Sequence, residues 1–279
     1  MIDSHFHGAM GADFSDGDLE GLRKIETFEK AHGITKLYPA TMTLPTEQIL
    51  RAIRALKTYR KQNADSIFGG FYLEGPFFHP AKVGAQNPTF LQLPNEAFVE
   101  QILEEAEGLC KVIALAPELP GAMELIRRYR DQVCFSIGHT TADGEIARRA
   151  FDAGARRITH LYNGMLHYDE ILCAAADDGD VKAELICDGV HNDRERILNA
   201  FAMLGAERVI LISDSMRATG MPDGIYDLGG QAITVKGNLA LTKDGAKAGS
   251  VTTLTDCAEK AISFGIKRED ALMAANQEL

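Results

Sequence analysis

The chain has 279 residues and a mass of 30.4 kDa; 46% of residues are hydrophobic and 25% charged, an ordinary globular balance with enough apolar side chains for one large α/β core. A formal net charge of −11 excludes a broad nucleic-acid-binding face, which needs basic residues, and leaves open a local basic pocket for a small anion. No apolar run is long enough to span a bilayer, and no basic segment followed by an apolar one opens the chain.

Short apolar strands alternate with amphipathic helical stretches along the chain. The strands expected are Met1–His7, Thr35–Thr41, Ile67–Glu74, Lys111–Ala116, Val133–Gly138, Arg157–His160, Glu184–Cys187 and Arg208–Ser213. Between them, apolar residues at three- and four-residue spacing predict helices over Leu19–Ala31, Pro45–Lys61, Asn95–Glu107, Gly121–Tyr129, Asp143–Ala153 and Asp193–Leu204. Asn95 and Thr141 read as helix-start signals, and Gly33, Gly154 and Gly205 suit left-handed caps. The connection from Leu161 to Ala183 is the least regular stretch. Asp223–Asp244, with Gly-Gly and Gly-Asn turns between alternating apolar residues, reads as β-hairpins inserted after the eighth strand, ahead of a helix near Thr255–Phe264.

Strict alternation implies a parallel sheet, and eight repeats favour closure into a TIM-type (β/α)8 barrel, a single domain over residues 1–279. The five cysteines, Cys110, Cys134, Cys173, Cys187 and Cys257, are odd in number and scattered. They read as buried free thiols in a reducing compartment, with the cytoplasm as the expected location and no nucleic-acid or membrane partner.

In a barrel the C-terminal ends of the strands carry the chemistry. His5 and His7 end strand one, Glu74 strand three and His160 strand six; His139 follows strand five, Asp188 and His191 strand seven, and Asp214 strand eight. Alternate spacing turns both imidazoles of His5-Phe6-His7 to one side of a strand, where they can chelate a divalent ion; such pairs also occur incidentally. Glu74 closes an apolar run, so its carboxylate needs a metal or an ion-pair partner on a neighbouring strand. His139 and His160 are each readable as core histidines, but with Glu74 they form a His2Glu set suited to an open catalytic metal site. Asp214 is placed either to accept a proton from an activated water or to cap the next turn. His191 suits a substrate hydrogen bond or a helix start. Asn163-Gly164 and Lys247-Ala248-Gly249 offer backbone N–H groups to a phosphate or sugar, and read equally as turns. His167 stays open, and His32 and His79 receive no role.

The segments "IDSHFHG", "YLEGPF", "GAQNP", "LAPE", "SIGHT", "THLYNGM", "CDGVH", "ISDSM" and "AGS" stand in this order. In that order they resemble the N-acetylglucosamine-6-phosphate deacetylases of the amidohydrolase superfamily, over nearly the whole chain. The resemblance implies metal ligation by Glu74, His139 and His160. It implies a second ion at His5 and His7 with Glu74 as bridge, so the cofactor is one or two divalent ions, zinc or iron. It implies catalysis by Asp214 and substrate contacts at His191, Asn163, Gly164, Ala85, Gln86, Lys247, Ala248 and Gly249. It also implies a homodimer.

Gln86 stands where such proteins usually carry a histidine, and the sixth loop lacks the arginine they carry there. Their flanking β-sandwich is expected to be missing from this chain. The activity expected is hydrolysis of the N-acetyl group of N-acetylglucosamine-6-phosphate to glucosamine-6-phosphate and acetate. The alternatives are N-acetylgalactosamine-6-phosphate, an unphosphorylated N-acetyl sugar or a cyclic amide as substrate, or a catalytically silent metabolite-binding barrel.

Overall fold

The computed structural model describes residues 1–279. Eight parallel strands run in chain order: β1 (Ile2–Phe6), β2 (Lys36–Pro39), β3 (Phe71–Glu74), β4 (Cys110–Leu115), β5 (Cys134–Ile137), β6 (Arg157–Ile158), β7 (Lys182–Ile186) and β8 (Val209–Ile212). Strands β3 to β8 form one curled six-stranded sheet in sequence order, and β1 pairs with β2 in a separate two-stranded sheet. Isolated bridges Leu37–Phe68 and Ala40–Tyr72 join the β2 side to the β3 side. At the other end the Asp214 N–H donates to the His5 carbonyl at 3.0 Å, and the Ser213 hydroxyl donates to the buried Asp3 carboxylate.

The strands are short and nearly continuously buried, as parallel strands covered by helices must be. Their outward faces pack on α1 (Leu19–Ala31), α2 (Thr46–Gln62), α3 (Glu96–Ala106), α4 (Ala122–Tyr129), α5 (Gly144–Ala153), α6 (Tyr168–Asp178), α7 (Arg194–Leu204), α8 (Leu254–Ser263) and α9 (Arg268–Ala274). Each expected strand and helix is present to within a few residues. The Asn95 side chain accepts from the Phe98 N–H and caps α3 as expected. On α5 the cap is Asp143, which accepts from the Ile146 N–H, and Thr141 instead donates to Glu118.

Two helices escaped the sequence reading. The irregular stretch after Leu161 contains α6, and the chain's last residues contain α9. Cys173 lies on the exposed side of α6, so it is not a buried thiol; Cys134 is half-buried, and all five cysteines are free. The insertion is a three-stranded antiparallel sheet of β9 (Gly224–Leu228), β10 (Gln231–Lys236) and β11 (Leu239–Thr242), placed after β8 as expected. Its Gln231 amide donates to the carbonyls of Ala85 and Gln86, tying the insertion over the loop that follows β3. No helix is long and apolar enough to cross a membrane.

Inside the curl, side chains from non-adjacent strands meet. His5 of β1 reaches Glu184 of β7, and Tyr72 of β3 reaches Thr159 just after β6. All four residues are fully buried, so the interior directly beneath the strand ends is a polar, hydrogen-bonded layer.

Candidate active site

The candidate donors converge because their strands end together. His5, His7 and Asp214 form one group and Glu74, His139 and His160 another; within each, the ligand-capable atoms lie within 4.8 Å of one another, and all six residues are buried. His139, His160 and Asp214 each turn the chain at positive φ, 45°, 30° and 49°, a conformation that non-glycine residues adopt at a cost of about 1–3 kcal/mol. Gly164, at φ 65°, is needed for a second reason: a Cβ there would stand 3.1 Å from His139 Nδ1.

The donor atoms fit a metal ion. His139 Nε2 and His160 Nε2 are 3.1 Å apart and lie 3.2 and 3.1 Å from Glu74 Oε1. Ligands about 2.0–2.1 Å from a tetrahedral ion stand about 3.3 Å from each other, close to this near-equilateral triangle. The other group is looser, with Asp214 Oδ1 at 3.2 Å from His7 Nε2 and 3.8 Å from His5 Nε2. Glu74 Oε2 faces the second group, 3.4 Å from His7 Nε2 and 3.8 Å from His5 Nε2. His5 Nε2 and Asp214 Oδ1 are buried without any hydrogen-bond partner, a costly state for polar atoms that an ion relieves.

Every imidazole is also held from behind. Nδ1 of His5 meets Glu184 Oε2 at 2.8 Å, that of His7 the Ala40 carbonyl at 3.3 Å, that of His139 the Lys82 carbonyl at 2.8 Å, and that of His160 the Asn163 carbonyl at 3.1 Å. In the neutral rings that a metal ion would bind, Nδ1–H donates to these acceptors and each Nε2 turns its lone pair to the centre, the usual support of metal-ligating histidines.

Burial alone would push the Glu74 carboxyl up, but hydrogen bonds from His139 and His160 and the His5 ring hold it well below the usual range. Asp214 is lowered for the same kind of reason: burial opposes ionisation, and the adjoining His7 ring with the charges of His5 and His160 outweighs it. Burial works against charge on His5 too, yet the Glu184 carboxylate lifts it well above the ordinary imidazole value; His7 and His160 are lifted by Asp214 and Glu74. The field that keeps protons on these rings also attracts a divalent cation, which displaces them on binding.

Above the donors is a cavity of about 280 Å³, near the small end of metabolite sites. His7, Glu74, His139, His160 and Asp214 form its floor. His191 lines it, with Nδ1 bonded to Asp188 Oδ2 at 2.7 Å and its own backbone N–H on Asp188 Oδ1. Ala85, Gln86, Asn163, Gly164, Lys247 and Gly249 also line it.

Three of the expected substrate contacts are engaged otherwise. Ala248 is fully buried, does not line the cavity, and gives its N–H to the Ala240 carbonyl. The Gln86 side chain is used at both ends: Nε2 donates to Glu74 Oε2 at 2.7 Å, and Oε1 accepts from the Thr43 N–H at 2.6 Å. The Asn163 amide donates to the Leu161 carbonyl, and its own carbonyl orients His160. Lys247 is the one lysine or arginine of the lining; its Nζ donates to the Val190 carbonyl at 2.6 Å and has no carboxylate within 4 Å.

The sequence reading missed several contributors. Tyr162 and Leu228 line the cavity. Glu184 and Arg157 lie beneath it, with Arg157 Nε on Glu184 Oε1 at 2.6 Å; burial favours the neutral carboxyl, but Arg157 and His5 bring Glu184 down to about 2. The only sequence signal for this pair was a charged residue inside each of two apolar strands.

No family model matches the chain. It is 38% identical over 274 residues to the N-acetylglucosamine-6-phosphate deacetylase of Bacillus subtilis, covering 95% of this chain and 69% of that protein. To the N-acetylgalactosamine-6-phosphate deacetylase of Escherichia coli it is 34% identical over 283 residues, covering 99% of this chain and 74% of the relative. It superposes with a TM-score of 0.92 on a mutant N-acetyl-D-glucosamine-6-phosphate deacetylase of Mycobacterium smegmatis solved with N-acetyl-D-glucosamine-6-phosphate. That match is 32% identical and covers 98% of this chain and 73% of that one.

Proposed function

Because the chain belongs to the N-acetylglucosamine-6-phosphate deacetylase family, we propose that it hydrolyses the N-acetyl group of N-acetylglucosamine-6-phosphate. The observation that carries this reading is the pair of donor groups meeting at Glu74 under a cavity that Asp214 also faces. Glu74, His139 and His160 would hold one divalent ion, zinc or iron, and His5, His7 and Asp214 would hold a second where one is bound. A bound ion supplies Lewis acidity, making a water more acidic at neutral pH and polarising a carbonyl.

The chain's own groups do the rest. Asp214 takes a proton from the attacking water as the new C–O bond forms, and delivers it to the nitrogen as the C–N bond breaks, leaving acetate and the amine. His191, fixed at Nδ1 by Asp188, turns Nε2 to the acyl oxygen or a sugar hydroxyl. The Lys247 ammonium and the Gly164 N–H are the groups offered to the 6-phosphate, with the ammonium drawing the dianion as a point charge. Gln86 holds the Glu74 carboxylate in place and closes the cavity wall.

The eight strands are read as one (β/α)8 barrel and residues 1–279 as one hydrolase domain, supported by the hydrogen bonds that link β8 to β1 and β2 to β3. A cytoplasmic homodimer is the proposed state, tested by sedimentation of the purified chain.

A second substrate, N-acetylgalactosamine-6-phosphate, is favoured by the Escherichia coli relative matched over 99% of this chain. Acetate release from both phosphorylated sugars and from plain N-acetylglucosamine decides, together with elemental analysis of the protein. Bound metal with faster release from the glucosamine derivative supports the proposal. Faster release from the galactosamine derivative moves it to the second sugar, and metal-loaded protein that releases no acetate from any of them overturns it.

A further inference from the structure

The carboxylate of Glu184 lies in mid-strand, fully buried, below the donor groups. Oε1 accepts from Arg157 Nε at 2.6 Å, which already balances its charge. Oε2 faces the other way, accepting from the His5 ring at Nδ1 (2.8 Å) and from the backbone N–H of His160 (3.1 Å). Arg157 Nη2 also donates to the hydroxyl of Ser4. One oxygen thus touches a member of each donor group, and in His160 it touches a residue held at φ 30°.

The guanidinium and the backbone N–H can only donate, so the ionised carboxylate only accepts, and in the neutral ring that a metal ion would bind the one proton of His5 sits on Nδ1. His5 Nε2 is left with a free lone pair, and it is the ring nitrogen that is buried with no partner in the chain. Any buried carboxylate needs donors on its second oxygen; what distinguishes Glu184 is that those donors are the ring of one donor-group member and the backbone of a member of the other.

We propose that Glu184 is a positioning residue for the metal centre, fixing the tautomer and direction of His5 and the turn at His160. The inference rests on the two-ion reading above. Glu184 touches neither substrate nor ion; it acts through His5 and His160, and loss of such supporting contacts weakens metal binding by about 10–100-fold.

The test compares the wild-type chain with E184Q and R157M, each loaded with cobalt(II), dialysed, and examined by elemental analysis and visible absorption. Both substitutions break the Glu184–Arg157 pair, so a purely structural role affects the ions equally in the two. Only E184Q disturbs the acceptor of His5, because a glutamine directs its carbonyl to one side and its amide to the other. The expected result is two ions in the wild type and in R157M with the same spectrum. E184Q is expected to bind the His5 ion 10–100-fold more weakly and to show a changed spectrum.

Two tightly held ions with an unchanged spectrum in E184Q overturn the proposal, as does loss of the same ion from R157M. Fewer than two ions in the wild type overturn the two-ion reading itself, which separates that failure from failure of the Glu184 role. Should E184Q not fold, E184L/R157M replaces both charges by apolar side chains and leaves no buried charge unmatched. It is expected to keep one ion, and retention of both overturns the proposal.

Discussion

Glu29 of α1 is 1% exposed, and its Oε2 has no hydrogen-bond partner. Burial, with the nearby Asp3 carboxylate, raises its carboxyl from the ordinary 4.5 to about 8. The folded chain therefore keeps a proton that the unfolded chain releases in the window between those values. Stability from this group is full below about pH 4.5 and is lost as pH rises to about 8. At about 1.4 kcal/mol per tenfold change in proton affinity, the ceiling is about 5 kcal/mol, which relaxation around the charge reduces. E29Q keeps the shape and removes the charge. Thermal melts of the metal-loaded protein at pH 5, 7 and 9 should give similar midpoints for E29Q and wild type at pH 5. At pH 9 the variant should melt several degrees higher, at about 2 °C per kcal/mol for a chain of this size. Parallel midpoint–pH curves for the two proteins would refute the reasoning.

D214N should lose about 10²–10⁴ in kcat for acetate release while the ion at Glu74, His139 and His160 is retained by elemental analysis; near-normal turnover removes Asp214 from the proton transfers. K247M should raise KM for the phosphorylated sugar by about tenfold or more, as loss of a charge-assisted contact does, and leave the unphosphorylated sugar unchanged; equal effects on both exclude a phosphate role. G164A puts a Cβ against His139 and costs about 1–2 kcal/mol for the left-handed backbone, so calorimetric titration should show weaker metal binding and a lower melting point. Chelation should lower the melting point reversibly, by the equivalent of about 2.7 kcal/mol relative to metal at a hundredfold excess over Kd; an unchanged midpoint argues that the buried donors hold no ion.

The strand–helix alternation was legible because each β strand is a short apolar run and most helices bury a clear stripe behind a capping side chain. The two missed helices share the opposite properties. α6 starts at His167 and α9 at Lys267, neither with a side-chain cap, and much of what they bury is alanine, which gives little periodic signal. The donors were legible because a polar residue ending an apolar strand stands out locally. Glu184 and Arg157 were not, since their meaning lies in each other and in His5, 179 residues from Glu184 along the chain. The contacts that Gln86 and Asn163 make within the chain were not legible for the same reason: a neutral amide in a loop gives no sign of which neighbouring groups it also engages.

The left-handed backbone at His139, His160 and Asp214 sets a condition on redesign. Glycine would relax those turns, yet under the proposed function each position carries a needed imidazole or carboxylate, so the local strain is not removable by substitution there. A search for heat-tolerant variants should find its gains on the outer helices and leave these three positions untouched. Grafting the site on to another scaffold likewise means copying three disfavoured turns along with the side chains they aim; a host with relaxed loops would carry the right residues pointing the wrong way.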